Sequence, residues 1–403
     1  MSARGRLPEG WRLVPLGDVC ESATGQRNPG KEPEKTFIYV DISSVDNDQK
    51  RIVEPKRLLG IDAPSRARKV IRQGDVIIST TRPNLNAVAL VPGELDNQIC
   101  STGFCVLRPV SSLIDSAFLF GFVRTEAFVS SLSDLVKGAL YPAVTDRQVL
   151  TQLIPLPPLP EQRRIVAALE ERLAAVARAR QAARAQLDAA RALPAAYLRA
   201  VFEGEEAKGW PLKPLGDLSE IGTGTTPATN VSAYYQGHIP FIKTAQIVNN
   251  RIDRADTHIS EPAMQQYGLK LYPIGTILMG MYGQGKTRGQ VAILDIPATT
   301  TQNAAAIVPR DELISEYLWY WLRRQYLHLR HLGFHGELAH LSLEYVKKLE
   351  IPTPGLGVQQ RVVQQLTETF SEAGKLIEEI ERQLKHIEVL SSSYLQQAFR
   401  GEL

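Results

Sequence analysis

Residues Gly280-Met281-Tyr282-Gly283-Gln284-Gly285-Lys286-Thr287 carry the spacing G-x-x-x-x-G-K-[ST] of a phosphate-binding loop, and they follow an apolar run, Thr276 to Met279. Such a loop works because its backbone N–H groups curl round phosphates and a helix starts directly behind it, turning its positive dipole end toward the anion. Here Arg288 to Pro297 hold a glycine, a short apolar run and a proline, which predict a strand. Asp295 ends that run as a magnesium-carrying aspartate would. It stands only eight positions after Thr287, too close for the crossover helix that parallel strands require. A nucleotide site therefore stays as the alternative, and the loop needs another use.

Other chemistry is sparse. His328, His331, His335 and His340 cluster in sequence, but Gly333 interrupts any helix between them and no cysteine or close carboxylate completes a metal shell. Tyr317-Leu318-Trp319-Tyr320-Trp321 followed by Arg323 and Arg324 has the composition of a base-stacking platform, yet helical spacing explains it as core. No nucleophile–base set, metal cluster, methyltransferase motif or nuclease cluster stands out. Cys20, Cys100 and Cys105 are odd in number and lack zinc-like spacing, which suits a reducing cytoplasm. No apolar run is long enough to span a membrane, and Met1 to Pro8 have no signal-peptide core. With 403 residues, 44% hydrophobic and 22% charged, the chain is long enough for two or three soluble cores. Its net charge of +3 permits nucleic acid as a partner without demanding it.

The chain is written twice. At a shift of 197, Ile154-Pro155, Pro157, Gln162, Arg164, Val166 and Leu169 recur as Ile351-Pro352, Pro354, Gln359, Arg361, Val363 and Leu366. The same shift carries Tyr197-Leu198, Phe202 and Gly204-Glu205 onto Tyr394-Leu395, Phe399 and Gly401-Glu402. At a shift of 199, Trp11, Pro15 to Asp18 and Thr24-Gly25 recur as Trp210, Pro214 to Asp217 and Thr223-Gly224. A repeat of this kind implies two copies of one architecture. The order is variable domain (1–153), helical spacer (154–208), variable domain (209–350), helical spacer (351–403).

In the second spacer Val362, Leu366, Phe370, Ala373, Ile377, Ile380, Leu384 and Ile387 step by threes and fours, a coiled-coil seam. The first places Ile165, Leu169, Leu173, Val176, Ala183, Leu187 and Ala190 to match, with Arg180 as the exception. Pro194 and the Ser391–Ser393 cluster predict a break in each before a short terminal helix. Residues 161–192 would form a rod of about 48 Å at roughly 1.5 Å per residue. Two matching stripes bury each other most simply as an antiparallel pair. The repeat also predicts that the two ends of the chain lie close together.

The variable halves show short apolar runs broken by Gly, Pro and Asn. Val76–Ser79 and Ala87–Val91 flank Thr80–Asn86, and Ile277–Met279 and Val291–Leu294 flank the octet, so the two loops are counterparts. The first has no phosphate-loop spelling. What the pair shares is basic and amide side chains, which suit the guanine O6/N7 and adenine N6/N7 edges.

With these features the chain resembles the specificity subunits of type I restriction–modification systems over nearly its whole length. The resemblance rests on "PLGDV" and "PLGDL" near the domain starts, "TGTTP" at 223–227, and "IPLPPLPEQRRIV" at 154–166 with its echo. The paired "YL..AF.GE" ends at 197–205 and 394–402 also carry it. The echo departs at Gly355, Gly357 and Val358, where the first copy has Pro158, Pro160 and Glu161. The resemblance implies an α+β fold: two mixed, β-rich target-recognition domains separated by two long helices in an antiparallel coiled coil with pseudo-two-fold symmetry. It also implies a non-catalytic cytoplasmic subunit that reads a bipartite, asymmetric sequence of double-stranded DNA. Two modification (methyltransferase) subunits would dock on it, with restriction subunits as further partners. S-adenosylmethionine, ATP and magnesium would belong to those partners, leaving this chain with no cofactor or metal. The candidate DNA-binding residues are Arg82, Asn84 and Asn86 in the first loop, and Tyr282, Gln284, Lys286 and Arg288 in the second. Thr24, Gln26 and Arg27, and their counterparts Thr223, Thr225 and Thr226, suit phosphate. Lys243, Thr244, Gln302, Asn303, Tyr141 and His335 complete the set. A purely structural coiled-coil adaptor is the third reading, and it predicts no base preference.

Overall fold

The computed structural model describes residues 7–22, 24–138, 140–283, 286–331 and 341–403. Two units make up the chain, residues 1–184 with 382–403, and residues 185–381. Each takes one half of both long helices, Leu159–Glu203 and Leu356–Ala398.

In the first unit, strand Arg12–Pro15 pairs antiparallel with Leu153–Leu156, so the chain enters and leaves the recognition domain side by side. Within the domain, Lys56–Leu59, Thr36–Val40, Gln98–Ser101 and Ala67–Ile71 form one sheet in that order. A second sheet is Phe104–Leu107, Val76–Ser79, Val88–Leu90. All four residues of Val76–Ser79 are buried, which is why the strand reads as a continuous apolar run. Two short helices, Ser116–Val123 and Glu126–Asp134, follow, capped by Asp115 and Thr125.

The second unit repeats the plan. Leu212–Pro214 pairs with Glu350–Pro352. The sheet Ala304–Pro309, Ile277–Gly280, Val291–Leu294 matches the second sheet of the first unit, extended by Ser219–Thr223 and Asn250–Ile252. Strand Ile239–Ile242 lies parallel to Thr299–Thr300, as Thr36–Val40 does to Gln98–Ser101. Helix Ser315–His331 carries Tyr317, Leu318, Trp319, Tyr320, Trp321 and Leu322, all buried. The aromatic segment is core, as helical spacing predicts: Tyr317 donates to the Pro352 carbonyl at 2.9 Å and stacks edge-on against Phe202.

Both units pair the start of one long helix with the end of the other, the antiparallel arrangement expected from the seams. In the first, Ile165 and Leu169 share a core with Leu395, Ala398 and Phe399, and the Arg172 guanidinium lies 5.2 Å from the Tyr394 ring centre. In the second, Leu198 and Phe202 share a core with Val362 and Leu366, flanked by ion pairs Arg191–Glu381 and Arg361–Glu206. The expected breaks do not occur. Pro194 sits inside a continuous helix, because Ala190 before it and Leu198 after it are both buried on one face and hold the axis together. Ser392 turns its hydroxyl onto its own helix, donating to the Val389 carbonyl, so the serine cluster costs the helix little. Described residues near the two ends do meet, as expected: a Cβ placed on Gly401 would lie 2.4 Å from Pro8.

The repeated glutamine explains how each domain is fixed to its helix. Gln162 is fully buried; its Nε2 donates to the carbonyls of Leu113 and Pro157, and its Oε1 accepts from Asp115 N–H. Gln359 repeats this on Glu312, Pro354 and Ile314. Every partner is a main-chain atom. Gln359→Ala strands two carbonyls and one N–H, each costing on the order of 1–3 kcal/mol when buried and unpaired. Relaxation and water entry recover part of this, so the expected loss is roughly 2–3 kcal/mol. It should appear in urea unfolding of the full chain as a lower midpoint for the transition of the second unit. An unchanged midpoint would mean that the amide carries no weight.

Candidate nucleic-acid interface

In the first unit, Val76–Ser79 and Val88–Leu90 form an antiparallel hairpin with Ile77 opposite Ala89. Its tip is a tight loop in which Arg82 (φ 50°) and Asn86 (φ 46°) flank a turn at Pro83–Leu85. Asn adopts the left-handed region readily, whereas Arg does so at a cost. Two links hold the strained tip: Arg82 N–H donates to the Pro142 carbonyl at 2.8 Å, and Lys50 Nζ to the Asn86 carbonyl at 2.6 Å. The first link places Tyr141, 85% exposed, beside Arg82. Arg82, Asn84 and Tyr141 therefore share one exposed edge, with Asn86 half-buried behind them.

Thr24, Gln26 and Arg27 lie elsewhere in this unit, along strand Ala67–Ile71. Arg27 N–H donates to the Arg68 carbonyl, Gln26 bridges to Lys69, and the Arg27 side chain reaches Glu32 at 3.7 Å. Arg108, which the sequence gives no reason to select, anchors the segment. Its Nη1 donates to the Thr24 carbonyl at 3.2 Å while Nε and Nη2 grip Asp75 at 2.9 and 2.7 Å. That carboxylate holds the guanidinium above its usual range. Cys20 and Cys100 are buried and their thiols pushed up to about 12, so neither supplies a thiolate.

The octet of the second unit is the tip of the matching hairpin. Ile277–Gly280 runs antiparallel to Val291–Leu294, with Leu278 opposite Ala292. No helix follows the loop, so the dipole that a phosphate loop needs is missing, and Asp295 is bound at 2.8 and 2.5 Å by Arg251. Gly280 is required sterically, since a Cβ there would stand 2.6 Å from the Thr287 carbonyl. Tyr282 and Lys286 are exposed, and the Lys286 carbonyl accepts from Tyr326 at 2.9 Å. Arg288 differs from expectation. It is 7% exposed and its Nη2 donates to the Arg330 carbonyl at 2.7 Å, so the guanidinium braces the hairpin from inside. The turn at Gly289 (φ 80°) sends the preceding side chain inward. Gln284 and His335 lie outside the described residues.

The remaining candidates of this unit converge. Gln302 Oε1 accepts from both N–H and hydroxyl of Thr226, at 2.9 and 2.6 Å. Thr223 Oγ1 donates to the Ala304 carbonyl, and the Asn303 carbonyl accepts from Met281 N–H at the hairpin base. Gly224 admits no side chain, because a Cβ would meet the Thr300 carbonyl at 1.6 Å. Lys243 and Thr244 follow Ile242, whose carbonyl accepts from Thr300, and Lys243 Nζ lies 5.9 Å from the Tyr235 ring centre. One chain of hydrogen bonds thus joins the 223–226 loop, the 299–303 segment, Ile242 (the residue before Lys243) and the hairpin. Thr225 and Gln302 are exposed on it. Among the described residues no group of three metal-ligating side chains forms, and no helix is long and apolar enough to cross a membrane.

Comparison with known proteins adds the following. The family model described as the type I restriction modification DNA specificity domain matches residues 8–182 and 207–386. The type I restriction enzyme MjaIX specificity subunit of Methanocaldococcus jannaschii is 32% identical over 164 residues, covering 40% of this chain and 37% of that one. The HindI specificity subunit of Haemophilus influenzae is 23% identical over 440 residues, covering 90% and 94%. A chain solved in work on complex assembly and conformational transition of the type I R-M system superposes with a TM-score of 0.85 at 35% identity, over 99% of this chain and 100% of that one. The HsdS subunit from Thermoanaerobacter tengcongensis gives a TM-score of 0.73 at 35% identity, covering 100% and 99%.

Proposed function

Because the chain belongs to the family of type I restriction modification DNA specificity domains, we propose that it reads a two-part, asymmetric DNA sequence, one recognition domain to each half, and docks two modification subunits. It is a non-catalytic specificity subunit. S-adenosylmethionine, and ATP with magnesium where a restriction subunit takes part, belong to the partners, and a duplex partner places the chain in the cytoplasm.

The observation that carries this reading is the pair of hairpins. They stand at the same position in two copies of one domain plan, and they present different side chains: Arg82 and Asn84 in one, Tyr282 and Lys286 in the other. A shared scaffold with unlike tips is what an asymmetric target requires, since base edges are told apart by side-chain type. The long helices then set the distance between the halves, as dimer geometry does for paired readers. Support for docking comes from apolar side chains left exposed at matching places, Leu13 in the first unit and Leu212 in the second.

Single-molecule sequencing of adenine methylation, with and without this gene beside its modification subunit, tests the reading. A split, asymmetric methylated motif should vanish when the gene is removed. A methylation pattern that does not depend on the gene would overturn the proposal.

A further inference from the structure

Arg180 interrupts an otherwise apolar seam, and nothing in sequence recognition explains it. Its counterpart at the shift of 197 is Ile377. In the first unit Arg180 lines a cleft of about 750 Å³ between the recognition domain and the long helices, together with Lys50, Arg51, Arg124 and Arg184. Five cations face two carboxylates there, Asp48 and Glu388. None of the five cations makes an ion pair among the described residues.

The cations are held in place. Asp46 accepts from the N–H groups of Asp48 and Gln49, both at 2.8 Å, and so fixes a turn that ends on Lys50 at φ 54°. Arg124 lies over the Phe120 ring at 5.1 Å. Burial lowers the pKa of both groups, and the charge of Arg124 lowers that of Lys50 further, an effect that the nearby Asp48 and Asp46 carboxylates oppose without reversing it. Such an arrangement is stabilised by an anion between them.

The other unit shows what the same place looks like when closed. Arg323, the counterpart of Arg124, is covered by the Trp319 and Phe370 rings at 4.6 and 4.5 Å. The counterparts of Arg180 and Arg184 are Ile377 and Glu381, and Glu381 is already paired with Arg191. Among the described residues, the basic lining at 180 and 184 thus belongs to the first unit and is not carried over to its counterparts in the second.

We propose that this cleft binds backbone phosphates of duplex DNA next to the half-site read by residues 80–86. The proposal rests on the assignment of those residues to DNA, and the bond from Lys50 Nζ to the Asn86 carbonyl ties the wall of the cleft to the end of that loop. A duplex read at the loop tip passes the cleft with its phosphates, whereas a small anion would gain nothing from that link. Phosphate contacts position a duplex without reading it, so the effect is independent of sequence.

The test uses the full chain and a fluorescent random-sequence duplex, with anisotropy recorded over a salt series. The double variant Arg180→Gln/Arg184→Gln should flatten the slope of log K against log salt by about 0.9 per lost phosphate contact, and weaken binding on the order of tenfold at low salt. A control, Lys347→Gln/Arg361→Gln, removes the same charge from the second unit and should leave the slope nearly unchanged. Equal effects in both variants, or no change in the first, overturn the proposal. So does calorimetry in which wild type binds inorganic tripolyphosphate, the double variant does not, and duplex affinity is the same for both. If the slope holds while the chain still directs methylation to a split motif, the cleft assignment fails and the function stands. Should the slope fall in a chain with no sequence preference, the reverse is true.

Discussion

Replacing residues 209–350 by the recognition domain of another chain of this family should change one half of the methylated sequence and leave the other half, and the distance between them, as they were. The reason lies in how the domain is held. Its first strand pairs with the strand that begins the following spacer, Lys213 opposite Ile351, so the junctions of any transplanted domain are adjacent. Its fixed points on the spacer are main-chain atoms: Gln359 binds the Glu312 carbonyl and the Ile314 N–H, and Tyr317 reaches the Pro352 carbonyl. The first unit already shows that the amide accepts a different domain, since Gln162 makes the same bonds to Leu113 and Asp115. Single-molecule methylation sequencing of cells carrying the chimera and the modification subunit reads the outcome. A methylated motif unchanged in both halves, from a folded chimera, would remove the two-reader assignment.

Asp75→Ala should cost about 3–5 kcal/mol, because it leaves the buried Arg108 guanidinium with only the half-exposed Glu21 carboxylate, 3.7 Å from its Nη1, as counter-charge. Asp75 is 1% exposed, and its carboxylate accepts from Arg108 Nε and Nη2 and from Arg72 N–H. Thermal or urea unfolding of the full chain should show a large fall for the first unit. Replacing both partners, Asp75→Leu with Arg108→Met, should recover much of that stability, since matched apolar side chains leave no stranded charge. The same double variant removes the donor to the Thr24 carbonyl. If the Thr24–Arg27 segment grips phosphate, duplex binding stays weak after stability returns. Recovery of both would assign Arg108 to stability alone.

Much of this architecture can be read in the residues themselves. Apolar steps of three and four gave both long helices, and the burial of Leu169, Val176, Leu366 and Ala373 follows them. Repeats such as Gln162 with Gln359 survive in unlike surroundings because each copy meets the same demand, a set of main-chain groups that must be paired. The hairpin at 277–294 was legible for a related reason: a strand, a glycine loop and a strand leave no length for a helix.

Where a side chain points was decided only in three dimensions. Arg288 and Lys286 are two positions apart in one loop, yet one is buried and the other exposed, because the turn at Gly289 and the Arg330 carbonyl fix that choice. Pro194 by its missing N–H predicts a helix stop, yet the packing of Ala190 and Leu198 outweighs the bond it removes. Arg108 with Asp75, 33 positions apart, and Lys50 with Asn86, 36 apart, have no sequence signature at all. Local periodicity reports what each segment must bury. Pairs between distant segments depend on which backbones the fold brings side by side, and that is settled by the whole core at once.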